Sequence, residues 1–446
     1  EINDGYNYIS YCFHSVNGYQ KIGTYTGTGA SGVEVETGFE PAFLMIKNTD
    51  SAHDWVIFDN KRDVANPRDS KLSPNTAGTE FSSTSIEIDF ASNGFIIQGT
   101  DDAINDTNET HIYLAIAADP DTTTPTVENS FDVVTYTGNN GTQSIDTDFK
   151  PDLIWIKNRT SSQSHRIIDS VRGDFNLLFP DLTNANDGPS SSYPSIISNG
   201  FQLNSSESNA SSTNYVAWCW KAGDHDDNLP QINTEGTIDS VVSVNDAAGF
   251  SIVKYTGNGG SGQSIGHGLS SASEMVIFKR TDAAQNWFVF VKVGGVYKRF
   301  EGLNTTSAST SVSFFSASST SITWSGTTAD FNGSSREYIM YCFHSVTGYQ
   351  KIGSYTGNGS QGNNQTIGFQ ARWIMIKNAS NTGAWRIFDS VRGTDKSLRA
   401  NASDAEFDDT AEYVSFNATQ FYFDGANNAN SDINASGNTY IYLAIK

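Results

Sequence analysis

Residues 11–27 and 341–357 are one segment written twice. Tyr341-Cys-Phe-His-Ser-Val-Thr-Gly-Tyr-Gln-Lys-Ile-Gly-Ser-Tyr-Thr-Gly357 matches Tyr11 to Gly27 at every position except Asn17 for Thr347 and Thr24 for Ser354. Self-similarity at long period means one architecture repeated, so the chain is an array before it is anything else. In both copies the segment reads as the last strand of one unit, a tight Gly turn, and the first strand of the next.

Two landmarks carry that phase through the rest of the chain. Tyr25, Tyr136, Tyr255 and Tyr355 sit in Tyr-Thr-Gly blocks, and Lys47, Lys157, Lys279 and Lys377 end strand-sized apolar runs such as Pro41-Ala-Phe-Leu-Met-Ile-Lys-Asn48 and Arg372-Trp-Ile-Met-Ile-Lys-Asn378. Their spacing gives each repeat the size of one ordinary domain. The blocks are short, apolar or alternating, and bounded by Gly, Asn, Asp or Ser, which is the pattern of antiparallel sandwich strands. The predicted fold is all-β, a tandem array of about four antiparallel β-sandwich (jelly-roll-like) domains strung like beads.

Residues 1–18 match the closing strand of a preceding, missing repeat. As an alternative, that orphan strand completes a domain in another copy by strand addition. Repeat 1 spans 19–118, a stiff linker with Pro120 and Pro125 spans 119–129, and repeat 2 spans 130–223. A second, polar linker covers 224–249, followed by repeat 3 at 250–345 and repeat 4 at 346–446. The short turn before Tyr349 predicts the stiffest joint of the array.

A formal charge of −22 and a pI near 4.5 argue against nucleic-acid binding, which needs a basic face to displace phosphate counterions. No apolar run is long enough to span a bilayer as a helix, so no membrane insertion is expected. Cys12, Cys219 and Cys342 occupy one equivalent position of the closing strands, where the other copies carry Ala115 and Ala444. A position that accepts Cys or Ala is a small buried site, and with no CxxC pair no metal is indicated.

The chemistry-bearing patterns are few. The strand-end Lys and the Asp of Ile-Phe-Asp read as an exposed cross-strand ion pair, with an autocatalytic amide from the Lys to an Asp or Asn as the sharper alternative. Asp169-Ser-Val-Arg172 and Asp389-Ser-Val-Arg392, with Asp59-Asn-Lys-Arg62 as a variant, read as Asp-capped turns. His14 and His344 share one junction position and predict a structural role at a domain interface. No nucleophile–base set recurs between repeats, and Asp224 to Asp227 lack the spacing of a calcium loop. Asn-x-Ser/Thr sequons such as Asn204, Asn304, Asn358 and Asn417 matter only in a glycosylating pathway. The expectation is therefore no catalytic residue, no metal, no cofactor, and a binding surface the sequence leaves unassigned.

The blocks Tyr-Thr-Gly-Asn-Gly, Trp-x-Ile-Phe-Asp-Ser-x-Arg, Ser-Asn-Gly-Phe, and closing strands such as Tyr215-Val-Ala-Trp-Cys-Trp220 resemble the tandem repeats of large virion proteins of marine bacteriophages, described as tail-fibre or tail-associated structural proteins. The resemblance spans nearly the whole chain and is weakest in repeat 3. It implies a non-enzymatic virion fibre or appendage that projects from the particle to contact the host. It further implies other virion subunits and copies of itself as partners, host surface glycans as candidate ligands, and a virion-surface or extracellular location. The alternative from another class is a cellular filament or adhesin built from the same domains, with strand exchange between copies. An enzyme acting on host polysaccharide stands third.

Overall fold

The computed structural model describes residues 13–446 except 17–18, 92, 118–128, 205–206, 224–229, 327–328, 409–413 and 425–431. The chain divides into two compact units, Glu1–Thr123 and Thr124–Lys446. The fold is all-β, as predicted, and every repeat is a sandwich of antiparallel sheets. The orphan closing strand lies largely outside the described residues, as do most of the first linker and the Asp224–Asp227 cluster.

One plan serves all four repeats. In repeat 2 the main sheet runs opening strand Phe131–Thr137, closing strand Asn214–Trp220, central strand Leu153–Asn158, fourth strand Arg166–Asp169. A smaller sheet, Gln143–Asp146, Gly200–Leu203 and Ser195–Ile197, faces it. Between the layers lies a private core, which in repeat 2 includes Ile154, Ile156, Phe201 and Leu203.

The Tyr landmark has a local cause. Tyr136 is paired with Tyr215 across the opening and closing strands and stacks on it at 5.1 Å, while its hydroxyl donates to Ser208 O at 2.8 Å. Tyr25 does the same with His111 and Ile104 O, and Tyr355 with Tyr440 and Ile433 O. The next residue in each loop is a buried Asn, absent from the sequence reading. The side-chain oxygens of Asn105, Asn209, Asn332 and Asn434 accept from the backbone N–H groups of Thr28, Asn139, Asn258 and Asn358 at 2.9–3.1 Å. The Gly of Tyr-Thr-Gly lets that loop close. A Cβ on Gly138 would sit 2.1 Å from Ala210 O, and one on Gly357 2.2 Å from Ala435 O.

Two expectations need correction. Residues 224–249 are not linker throughout: Gln231–Asn233 pairs with Ser240–Asn245, which pairs with opening strand Phe250–Thr256 and extends repeat 3 into an eight-stranded sheet. The β-branched run Val241-Val242-Ser243-Val244 suits a strand, and Val242 is buried in the repeat 3 core.

The second correction concerns the beads. Repeats 2, 3 and 4 form a single unit because the outer faces of their main sheets converge on one further core, containing Trp155, Trp218, Ile277, Tyr341, Trp373 and Leu443. A sheet covered on both faces has no polar side, so its strands read as continuous apolar runs. Leu153–Asn158, Trp373–Asn378 and the last six residues of closing strands Asn214–Trp220 and Thr439–Ile445 are accordingly buried throughout. Trp155 meets Trp218 edge to face at 5.8 Å, and Trp220 meets Trp373 at 5.7 Å across the repeat 2 to repeat 4 boundary. The void left between Trp155, Trp220, Ile277, Tyr341 and Leu443 is about 10 Å³ and wholly apolar in lining, which leaves no polar partner for a water.

Candidate functional site: the joints between repeats

The polar residues singled out by the sequence converge at the boundaries of this three-repeat unit. At the end of each central strand the Lys reaches out of its own repeat into a loop of another. Lys157 Nζ donates to Ser403 O at 3.1 Å, Lys279 Nζ to Thr183 O at 3.1 Å, and Lys377 Nζ to Thr306 O at 3.1 Å. The same three carbonyls also accept backbone N–H groups, from Gln163 at 2.7 Å, Gln285 at 2.8 Å and Gly383 at 2.9 Å. A return bond runs from each loop: Glu406 N to Arg159 O at 3.0 Å, Asn186 N to Thr281 O at 2.8 Å, and Ser309 N to Ala379 O at 3.1 Å.

A ring nitrogen seals each joint four residues earlier in the loop. Trp287 Nε1 donates to Phe179 O at 2.9 Å and Trp385 Nε1 to Gly302 O at 3.0 Å. His165 takes this place in repeat 2, with Nε2 2.9 Å from Arg399 O. Its Nδ1 accepts from Trp155 Nε1 at 2.9 Å, which fixes the proton on Nε2. Burial holds its pKa well below the ordinary histidine range, so the ring stays neutral. Repeat 3 thus grips repeat 2, repeat 4 grips repeat 3, and repeat 2 closes onto repeat 4. The result is a closed ring with pseudo-threefold order.

The exposed Lys–Asp pair expected from the sequence does not form. Lys157, Lys279 and Lys377 are fully buried, and burial pushes each ammonium down to about 8. The register explains the separation: Asp169 lies opposite Leu153 while Lys157 stands at the far end of the same central strand. Neither an ion pair nor an amide can span that distance. Lys47 of repeat 1 donates to the adjacent Asn48 O at 2.6 Å.

The Asp belongs instead to its own turn, as the D-x-x-R spacing predicts. Asp169 Oδ1 accepts Arg172 N at 2.8 Å and Oδ2 accepts Arg172 Nε at 2.6 Å; Asp389 holds Arg392 in the same way at 2.9 and 2.5 Å. Both pairs are almost wholly buried. Each carboxylate also takes a donor from another repeat, Tyr341 Oη at 2.7 Å on Asp169 and Trp218 Nε1 at 3.0 Å on Asp389. At the third joint Val291 and Gly294 replace Asp and Arg, and Leu443 stands where Trp218 and Tyr341 stand; Val291 and Leu443 are both buried in the common core.

The cysteine reading holds for Cys219 and Cys342, which are buried free thiols; burial pushes Cys342 up to about 12. Ala115 and Ala444 are as buried at the matching places, and Cys12 lies outside the described residues. His344 sits at the junction of repeats 3 and 4, its N–H donating to Gly249 O at 2.9 Å, whereas His14 is exposed. Among the described residues one group has metal-ligand spacing: His53, Asp102 and Asp106, whose ligand atoms lie within 4.8 Å of one another at the surface of repeat 1.

The joints were missed by sequence reasoning because their acceptors are backbone carbonyls, which any residue supplies. The detectable signal was on the donor side, a Lys that follows at least four consecutive apolar residues in every repeat. No curated protein matches the sequence. A family model described as Domain of unknown function (DUF7483) matches residues 1–120 and 127–446. The chain belongs to the DUF7483 family.

Proposed function

We propose that the chain is a non-enzymatic structural segment of a virion fibre or appendage that projects to contact the host cell surface. The observation that supports this best is the closed three-repeat ring. At its joints the buried Lys157, His165, Trp218, Trp385 and Asp389 reach from one repeat to another. Backbone acceptors let such joints persist while side chains diverge, which suits a mechanical array. The acidic surface keeps neighbouring projections apart. Partners on this reading are other subunits of the same appendage, further copies of the chain, and host surface glycans, with no nucleic acid and no membrane insertion.

The test is electron microscopy of the native source with antibody against the chain. Label on phage tails or capsid appendages is the expected result. Label confined to free filaments on cells would replace this reading with the cellular-filament one. Incubation with host surface polysaccharide should release no new reducing ends; their appearance would establish an enzyme instead.

A further inference from the structure

Repeat 1, taken by itself, carries both halves of a joint on its surface. On the donor side Lys47 and Trp55, at the places of Lys377 and Trp385, are only half-buried. The acceptor loop 73–80 is largely exposed, yet it is shaped as in the ring. Asn75 Oδ1 accepts Trp55 N at 3.0 Å as Asn401 Oδ1 accepts Trp385 N at 2.8 Å. Arg62 Nη1 reaches Glu80 at 2.6 Å as Arg392 Nη1 reaches Glu406 at 2.9 Å.

The duplicated segment gives a direct comparison, because identical residues meet two environments. Phe13, Tyr19 and Ile22 are 53%, 43% and 40% exposed, and their counterparts Phe343, Tyr349 and Ile352 are 2%, 3% and 5% exposed. One bridge is made in both: Val16 pairs with Gln20 as Val346 pairs with Gln350. Gln20 Nε2 and Gln350 Nε2 each donate to the carbonyl of His14 or His344 at 2.7 Å. For Tyr19 and Ile22 the covering is what differs, since Tyr349 and Ile352 lie in the shared core of the ring, whereas Phe343 is covered within its own repeat by pairing with Phe250 and Met275.

A pairing code says what the cover is. Repeat 2 combines a Trp donor with an Asp acceptor, repeat 3 a Tyr donor with Val291, and repeat 4 Leu443 with Asp389. Repeat 1 has Leu114 and Asp59, the repeat 4 combination. Three copies of repeat 1 closing on one another would lay Leu114 over each Asp59, burying a carboxylate against a group with nothing to donate. A repeat 2 type neighbour brings a Trp donor to Asp59, as Trp218 meets Asp389, and a repeat 3 type neighbour brings an apolar residue to Leu114.

We propose that repeat 1 is the closing member of a second three-repeat ring, completed by two further sandwich repeats of the second and third kind, carried in tandem through the Phe13–Gln20 junction. This holds whether the array sits on a virion or on a cell.

Methionine oxidation reads the covering directly. Met45 is half-buried on this face, whereas Met275, Met340 and Met375 are 0–1% exposed. In the full chain, sedimenting as a monomer, peroxide should convert Met45 to sulfoxide about tenfold faster than the other three. In an extended chain with residues 124–340 repeated ahead of residue 11, Met45 oxidation should slow to the rate of Met375, and Ile112→Asp on the same face should restore it. Slow oxidation of Met275 in the added copy verifies that the added repeats have folded. Equal Met45 oxidation in both chains, with the added Met275 protected, would overturn the proposal. So would a full chain that sediments as a trimer with Met45 already protected, which would place second copies on this face.

Discussion

The indole N–H of Trp218 donates to Asp389, 171 residues away in a different repeat, at 3.0 Å in a fully buried setting. The guanidinium of Arg392 lies 5.5 Å over the same indole and pairs with the same carboxylate. This one contact couples the turn of repeat 4 to the closing strand of repeat 2. Its counterpart, Tyr341 on Asp169, couples repeat 3 to repeat 2. Where the Asp and Arg are lost together, at Val291 and Gly294, the partner is a Leu. The joints are therefore matched sets, polar or apolar, and never half of each.

A matched set should be costly to break and cheaper to remove whole. Asp389→Val strips buried Arg392 of its nearest carboxylate, leaving it Glu406 alone, and leaves the Trp218 N–H without an acceptor, and should destabilise the three-repeat unit by about 3 kcal/mol. Adding Arg392→Gly, which copies the Val291/Gly294 joint, should recover at least half of that loss, the remainder being the unpaired Trp218 N–H. Urea titrations of the three proteins measure this. A double variant less stable than Asp389→Val would show that the charges act separately.

A shared core should also melt as one body. Repeats 2, 3 and 4 contribute side chains to a single cluster, so calorimetry should give one transition for residues 124–446, with its van't Hoff enthalpy close to the calorimetric one, and a separate transition for repeat 1. Tyr341→Phe removes one donor to Asp169 with little change of volume, and should lower only the larger transition, by about 1.5–3 kcal/mol. Separate melting of repeats 2, 3 and 4 would count against a cooperative ring.

Much of this architecture was legible in the chain, and the illegible part has a physical reason. The Tyr and Lys landmarks and the closing strands fixed four sandwiches, because two-layer packing imposes its own pattern on every copy. The ring was not: Leu153–Asn158 and residues 43–48 are equally apolar on both faces in sequence, and only burial tells them apart, complete in the first and alternating in the second, with Leu44 and Ile46 buried but Phe43 and Met45 half-covered. That difference separates a sheet covered twice from one covered once. The carbonyls of Thr183, Thr306 and Ser403 left no trace, since a backbone acceptor carries no residue identity. Lys157 and Asp169 looked like partners only because sequence spacing does not show which ends of paired strands meet.

Cys342 should be dispensable. The thiol is fully buried, which raises its pKa more than the neighbouring Ser273 and Ser251 hydroxyls lower it, and Ala444 fills the same place in repeat 4. Cys342→Ala should cost about 1 kcal/mol or less as a small cavity, and neither Cys219 nor Cys342 of the native chain should react with a thiol reagent until the chain is unfolded. A loss of several kcal/mol, or fast labelling of either of these two in the folded protein, would reveal a role beyond packing.

The buried lysines should give the ring an alkaline stability rise. Lys157, Lys279 and Lys377 lose their protons near pH 8 when folded, because burial disfavours the ammonium, whereas an unfolded Lys keeps its proton to about pH 10.4. Between these values the unfolded chain binds more protons than the folded one, so stability increases with pH. Below about 8 both states are charged and the full cost of burying three ammoniums is present; above it the cost is progressively relieved. Two groups oppose this: the thiols of Cys219 and Cys342, held protonated by burial, from about pH 8.5 where unfolded thiols ionise, and the buried tyrosines from about pH 10. Up to about pH 9.5 three lysines outweigh two thiols. The denaturation midpoint of the three-repeat unit should therefore climb from pH 7.5 to 9.5. In a chain carrying Lys157→Met, Lys279→Met and Lys377→Met the climb should disappear, and an unchanged slope in that variant would assign the effect to other groups.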